Sequence, residues 1–288
     1  MNDSPRTSSS IGFWAAVVAR AEAALAAGAM HDFECELTFL EDAGVDFVVR
    51  RATKFPRGET AAGRGRDAPK LADNPFLDPE PHLVVGPIGD AHLAMLNKFS
   101  VLREHLLLVT RHFLDQRTLL AERDFAALAE CMREAEVLAF YNGGPEAGAS
   151  QPHKHLQIVT LPLSPRRSVP MSALLEREPP TLPFRHAFTR LAEGDAARPE
   201  VMLARYRKLL ELAGIEAVRR DGHEWQSRPY SLLVTHEWML VVPRSRDRFE
   251  GLSINTLAFA GSFFVRDPAQ LDAIARARPM RVLASVAS

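Results

Sequence analysis

The chain has 288 residues, 47% hydrophobic and 25% charged, with a formal net charge of −1. That balance suits one large or two modest globular domains around a sizeable core, and it offers no global basic field for nucleic acid. Cys35 and Cys131 are the only cysteines and stand far apart, which argues against a disulfide framework or a cysteine zinc site.

The opening "MNDSPRTSSS" is polar and is expected to be disordered over 1–10. The apolar run after it is too short and too Arg-interrupted for a signal peptide or membrane span, so a cytoplasmic protein is expected. Within 11–29, helical spacing puts Trp14, Val17, Val18, Ala21 and Leu25 on one stripe. Residues 33–50 read as a hairpin turning at Gly44, and 58–75 as an aperiodic loop. The runs "HLVVG", "AHLAMLN" and "HLLLVT" predict strands, and 122–141 predicts a helix burying Phe125, Leu128, Cys131, Met132 and Leu138.

A strand is predicted over 153–161 and a helix over 199–213, stopped by Gly214. Strands follow at "PYSLLVT" and "WMLVVP", then the apolar "INTLAFAGSFFV" and a helix near 268–278. Hairpin-joined strands with segregated helices predict an α+β fold with a mostly antiparallel sheet. Neither GxGxxG nor a P-loop occurs, which disfavours dinucleotide and kinase-type folds.

Between the helix and the next strand stands "YNGGPEAGASQPHKHLQ", residues 141–157. On a strand, His153, His155 and Gln157 project to one side, while Lys154, Leu156 and Ile158 project to the other. Two chemistries suit this alternation: metal ligation by paired imidazoles, and nucleophilic attack on phosphorus by a neutral imidazole. The neighbours favour phosphorus. Glu146 is the only local carboxylate, whereas Asn142, Ser150, Gln157 and the N–H groups of Gly148 and Ala149 are hydrogen-bond donors. Only five lysines stand against 30 arginines, which singles out Lys54, Lys70, Lys98, Lys154 and Lys208 for inspection.

The same stretch closely resembles the nucleotidyl-transferase branch of the histidine-triad superfamily. "NPFLDPEPHLVVGPIGDAHLAMLNKFSVLREHLLLVTRHF" and "RPYSLLVTHEWMLVVPRS" resemble the diadenosine tetraphosphate phosphorylases, also called ATP adenylyltransferases. The resemblance spans roughly residues 30–270 and implies a histidine-triad-like sheet with helices packed on it. It implies a catalytic region over 11–180 and a region over 181–288 that completes the same sheet and substrate site.

By resemblance, His155 is the nucleophile, His153 orients it, and Gln157 replaces the third histidine of the triad, a change associated with transfer to phosphate. Asn142, Gly148, Ala149, Ser150 and Gln151 match the phosphate-binding segment, and Asn97 and Lys98 the nucleotide contacts. Lys54 matches a polyphosphate-binding lysine. Asn255 and Arg266 match C-terminal substrate contacts, although lysine is usual at the latter position. The substrates implied are diadenosine polyphosphates, ATP, ADP and phosphate, with a divalent cation, Mg2+, accompanying the polyphosphate. Neither nucleic acid nor membrane is an expected partner, and the oligomeric state is left open. Competing readings are uridylyl transfer to a hexose phosphate and a non-catalytic nucleotide or metal sensor.

Overall fold

A computed structural model describes residues 12–31, 33–53, 74–99, 102 and 104–288. The expected disordered start, Lys54 and nearly all of the 58–75 loop lie outside these residues.

Short apolar runs form the centre of the molecule. Strands β3 (Val84–Ile88), β4 (His92–Leu96), β5 (Leu106–Thr110), β6 (Val137–Gly143), β7 (His155–Thr160), β8 (Ala187–Arg190), β11 (Tyr230–Val234) and β12 (Trp238–Pro243) build one eight-stranded sheet, in the order β3-β4-β5-β7-β6-β11-β12-β8. Every pairing in it is antiparallel. A second, three-stranded sheet joins the hairpin β1 (Cys35–Asp42) and β2 (Val45–Ala52) to β15 (Ser262–Val265), which runs parallel to β2. Two small pairs, β9 (Ala217–Arg220) with β10 (His223–Gln226) and β13 (Arg248–Phe249) with β14 (Leu252–Ser253), complete the strands among the described residues. The α+β, mostly antiparallel architecture expected from the sequence is the one observed.

Both faces of the large sheet are covered, which is why its central strands read as nearly unbroken apolar runs instead of alternating. On one face, Val137, Ala139, Tyr141, Leu156, Ile158, Leu232 and Val241 pack with α1 (Phe13–Ala26), α2 (Glu122–Met132) and α4 (Pro199–Ala213). On the other, Leu138, Phe140, Val159, Leu233 and Leu240 pack with Phe47 and Phe263 of the small sheet. Residues of α3 (Ser172–Leu175), α5 (Pro268–Ala277) and α6 (Pro279–Val286) join that second layer.

Two expectations differ from the structure. The helix expected over 122–141 ends at Met132, and 137–143 is strand β6, buried at all seven positions. An apolar run buried on both faces satisfies helical and strand spacing alike, so periodicity cannot separate the two. In α1 the buried stripe is Trp14, Val17, Ala21 and Ala24, with Val18 and Leu25 each 38% exposed. Trp14 sets that rotation by donating its indole N–H to the Cys131 carbonyl (2.7 Å). The helix expected near 268–278 is α5, Pro268–Ala277; a further helix, α6, starts at Pro279, and the apolar run before α5 forms a 3-10 turn, Thr256–Ala260, followed by β15. A proline cannot donate the backbone bond that would continue α5. Among the described residues, no helix is long and apolar enough to cross a membrane.

Candidate active site

His155 opens β7, and His153 stands two residues before it in an isolated bridge with Asp115. Strand alternation puts the pair on the sheet face that carries Phe140 and Val159, while Leu156 and Ile158 enter the opposite core. Both imidazoles are buried, and Phe76 packs edge-on against each, with ring centroids 5.7 Å and 5.2 Å away.

Hydrogen bonds fix both tautomers. The Asn74 amide donates to His153 Nδ1 (3.0 Å), since Asn74 Oδ1 already accepts from the Phe76 N–H. His153 therefore carries its proton on Nε2 and donates it to the Thr110 carbonyl (2.7 Å). The His153 carbonyl in turn accepts from His155 Nδ1 (2.8 Å), so His155 holds its proton on Nδ1 and its lone pair on Nε2. Among the described residues, that lone pair accepts no hydrogen bond. Burial pushes His155 down to about 4, and it lowers His153 as well, so both rings are neutral near pH 7. The result is an uncharged imidazole whose open nitrogen could attack an electrophile without a separate base.

Gln157, the next residue on this face, accepts at Oε1 from His105 Nε2 (2.9 Å). His105 receives a donor from the Asn97 amide at Nδ1 (3.3 Å), and Asn97 Oδ1 accepts from the Phe99 N–H. Burial holds His105 at about 4, keeping it a neutral relay. The relay turns the Gln157 amide so that its NH2 end has no partner among the described residues. Asn97, matched to a nucleotide contact, thus faces His105 in this structure, and Lys98 pairs with Glu80 (2.6 Å).

The glycine stretch behaves differently from the expected cradle at two positions. The N–H groups of Gly148 and Ala149 donate to the carbonyls of Pro145 (2.8 Å) and Gly144 (3.2 Å), closing a tight turn. Those of Ser150 and Gln151 donate to no described residue, which leaves them as the open backbone donors of the segment. Gln151 Oε1 is buried without a partner among the described residues. Gly148 is required: its φ is +95°, and a Cβ there would lie 3.1 Å from the Asn255 Cα. The phosphate-segment turn and the 254–256 segment are thus in van der Waals contact.

Arg244 holds that contact. It is 2% exposed, and all five of its N–H groups are used: Nε to Val286 O, one NH2 to Ala147 O and Ser231 Oγ, the other to Arg246 O and Ile254 O. Burial lowers its guanidinium to about 10, so it remains a cation at neutral pH. Asn142, 2% exposed, accepts from the Thr256 N–H at Oδ1 (3.2 Å), leaving its own NH2 without a partner among the described residues.

Arg266 follows β15 beside the end of β2, and its side chain pairs with no described carboxylate. Lys154 lies on the opposite strand face, as alternation predicts, in a buried cluster with Asp124 (2.7 Å) and His92. Sequence reasoning did not find Asn74, Phe76, His105, Gln116 or Arg244. His105 alone had a usable signal, since it begins the β5 run and shares its alternation with Leu107, which pairs with Gln157.

A donor-lined sheet face around a neutral imidazole belongs with the nucleotidyltransferases, and relatives bear this out. Residues 4–177 match the Ap4A phosphorylase N-terminal domain and residues 180–288 the ATP adenylyltransferase C-terminal domain. The chain belongs to this Ap4A phosphorylase/ATP adenylyltransferase family. It is 31% identical over 241 residues to diadenosine 5',5'''-P1,P4-tetraphosphate phosphorylase 2 of Saccharomyces cerevisiae, covering 72% of this chain and 73% of that one. It is 29% identical to Protein APA1 of the same yeast, covering 74% and 72%. The crystal structure of yeast Ap4A phosphorylase Apa2 superposes with a TM-score of 0.75 at 25% identity, covering 96% of this chain and 97% of Apa2. Apa2 has also been crystallised with AMP, at a TM-score of 0.74 and 25% identity.

Proposed function

We propose that this chain phosphorolyses diadenosine tetraphosphate to ATP and ADP by double displacement and runs the reverse adenylyl transfer. His155 Nε2 attacks the α-phosphorus, the bridging P–O bond breaks and ATP departs. AMP stays bonded to Nε2 until phosphate displaces it as ADP. The observation that carries this reading is the His155 Nδ1–H bond to the His153 carbonyl. It presents the lone pair at Nε2, and it stabilises the positive charge that grows on the ring as the N–P bond forms. In this reading Asn142, Ser150, Gln151 and Gln157 supply donors to the phosphate oxygens, Lys54 serves the polyphosphate, and Asn255 and Arg266 are further substrate contacts.

Among the described residues no group of three His, Cys, Asp or Glu side chains gathers to hold a metal. We infer that Mg2+ enters with the substrate's own phosphates, where it would offset charge.

The test is to incubate the protein with diadenosine tetraphosphate, with and without phosphate, and to separate the products. With phosphate, ATP and ADP form in equal amounts; without it, ATP stops near one equivalent per protein. Release of AMP and ATP regardless of phosphate would make the protein a hydrolase and overturn the proposal.

Two further outcomes follow from the site. Since the His155 ring is the free base above about pH 4, single-turnover ATP release should be flat from about pH 6 to 8 and fall only as the pH approaches that value. A rate that titrates near 6.5 would mean that the ring is not desolvated. Replacing Gln157 by His should slow phosphorolysis about tenfold or more, the weight of one transition-state hydrogen bond. Unchanged phosphate-dependent turnover would remove Gln157 from the chemistry.

A further inference from the structure

The ladder between β6 and β7 runs from Val137↔Thr160 to Phe140↔Gln157 and stops there. Continued by two residues, it would pair Asn142 with His155. Directly paired residues on one sheet face hold their Cβ atoms about 5 Å apart, too close to admit a phosphate between the two side chains. The strands separate instead, and one side chain fills the gap. Gln116 Nε2 donates to the carbonyls of Asn142 (2.9 Å) and His155 (3.2 Å), and Gln116 Oε1 accepts from the His155 N–H (2.8 Å). The amide stands in for a strand of backbone one peptide wide.

Gln116 is 1% exposed, and its own position is set by backbone bonds. Its N–H donates to the Pro152 carbonyl (2.7 Å), and the Lys154 N–H donates to that of Leu114 (2.7 Å). The 114–116 segment is therefore stitched to the residues that carry both histidines. Across the gap, Asn142 is 2% exposed and its NH2 has no partner among the described residues, the condition of a donor waiting for a ligand.

We propose that Gln116 is a positioning residue that sets the width of the slot between Asn142 and His155 in which the α-phosphate lies. This rests on the reading of His155 as the nucleophile. An amide fits because the gap offers one N–H and two carbonyl oxygens. A carboxylate at the same place turns acceptors toward the two carbonyls, and a thioether offers no partner at all.

The test compares AMP, which places a phosphate in the slot, with adenosine, which does not. Both affinities are measured by calorimetry on the parent, Q116E and Q116M, alongside thermal unfolding. AMP should bind each variant about 30-fold more weakly, the weight of a charge-assisted hydrogen bond or two, with adenosine within about threefold of the parent. Single-turnover ATP release should fall in step with AMP affinity. Equal weakening of both ligands, or loss of the fold in both variants, would assign Gln116 to stability alone and overturn the proposal. So would unchanged AMP binding. If the parent itself releases no ATP from diadenosine tetraphosphate, the nucleophile reading fails first and the slot falls with it.

Discussion

Replacing His155 by Asn should lower diadenosine tetraphosphate phosphorolysis by about 10⁴-fold or more, as removal of a covalent nucleophile commonly does. Asparagine keeps a polar side chain on the strand but presents no lone pair able to displace ATP. In the parent protein, mixing with diadenosine tetraphosphate in the absence of phosphate should release a burst of ATP and add one adenylyl group to the protein mass. The adduct should survive alkali, vanish in brief acid as phosphoramidates do, and leave as ADP when phosphate is added. Peptide mapping should place it at His155. Turnover without any change of mass would mean direct attack by phosphate. The His155 variant tests the same step from the other side, since it should neither burst nor gain mass.

The other large effect lies on the reverse face of the same strand. Lys154 Nζ meets Asp124 (2.7 Å) and the Leu119 carbonyl (2.9 Å), and His92 meets the other Asp124 oxygen (2.8 Å). Burial alone would raise the Asp124 carboxyl, but Lys154 and His92 outweigh it and hold the group well below the usual range. Lys154→Met strands that carboxylate in the core and should cost about 3–5 kcal/mol, read as a shift of the urea midpoint. A loss below about 1 kcal/mol would show that His92 compensates alone. In the parent, the folded carboxyl titrates below its unfolded value of about 3.9, so the pair's contribution is complete above that pH. It is lost as the pH falls toward the folded value. The same variant should retain turnover within about tenfold once folded, because His155 points the other way.

What the sequence reveals and conceals about the site follows from how far apart the partners lie. His153, His155 and Gln157 are legible because strand alternation is local, and the glycine stretch announces a turn by composition. Gln116 and Asn74 are not. Their partners lie 39 and 79 residues away, and nothing in "DQR" or "NPF" states which strands will separate beside them. The sequence offers Gly148, Ala149, Ser150 and Gln151 alike for the expected phosphate segment. Gly148 and Ala149 look open in the sequence, yet their N–H groups close the turn that brings Ser150 and Gln151 forward. For the fold, strands β5, β7, β11 and β12 are readable as bounded apolar runs. Strand β6 is not, since its residues are buried on both faces and carry no period to read. Edge strand β8 is short and only partly apolar, and it becomes a strand by pairing with β12.

The order of strands in the large sheet has a consequence for how the protein is made. Strand β6 lies in the middle of the sheet, between β7 and β11, and β11 starts at Tyr230, long after β6 ends at Gly143. At about 5–20 residues per second, the ribosome takes on the order of ten seconds to deliver the strand that covers that edge. A sheet formed up to β6 in that interval would present a row of unpaired N–H and C=O groups flanked by Leu138 and Phe140, an apolar edge of the kind that recruits other chains. Birth, not the finished state, is where this sheet is most exposed to self-association.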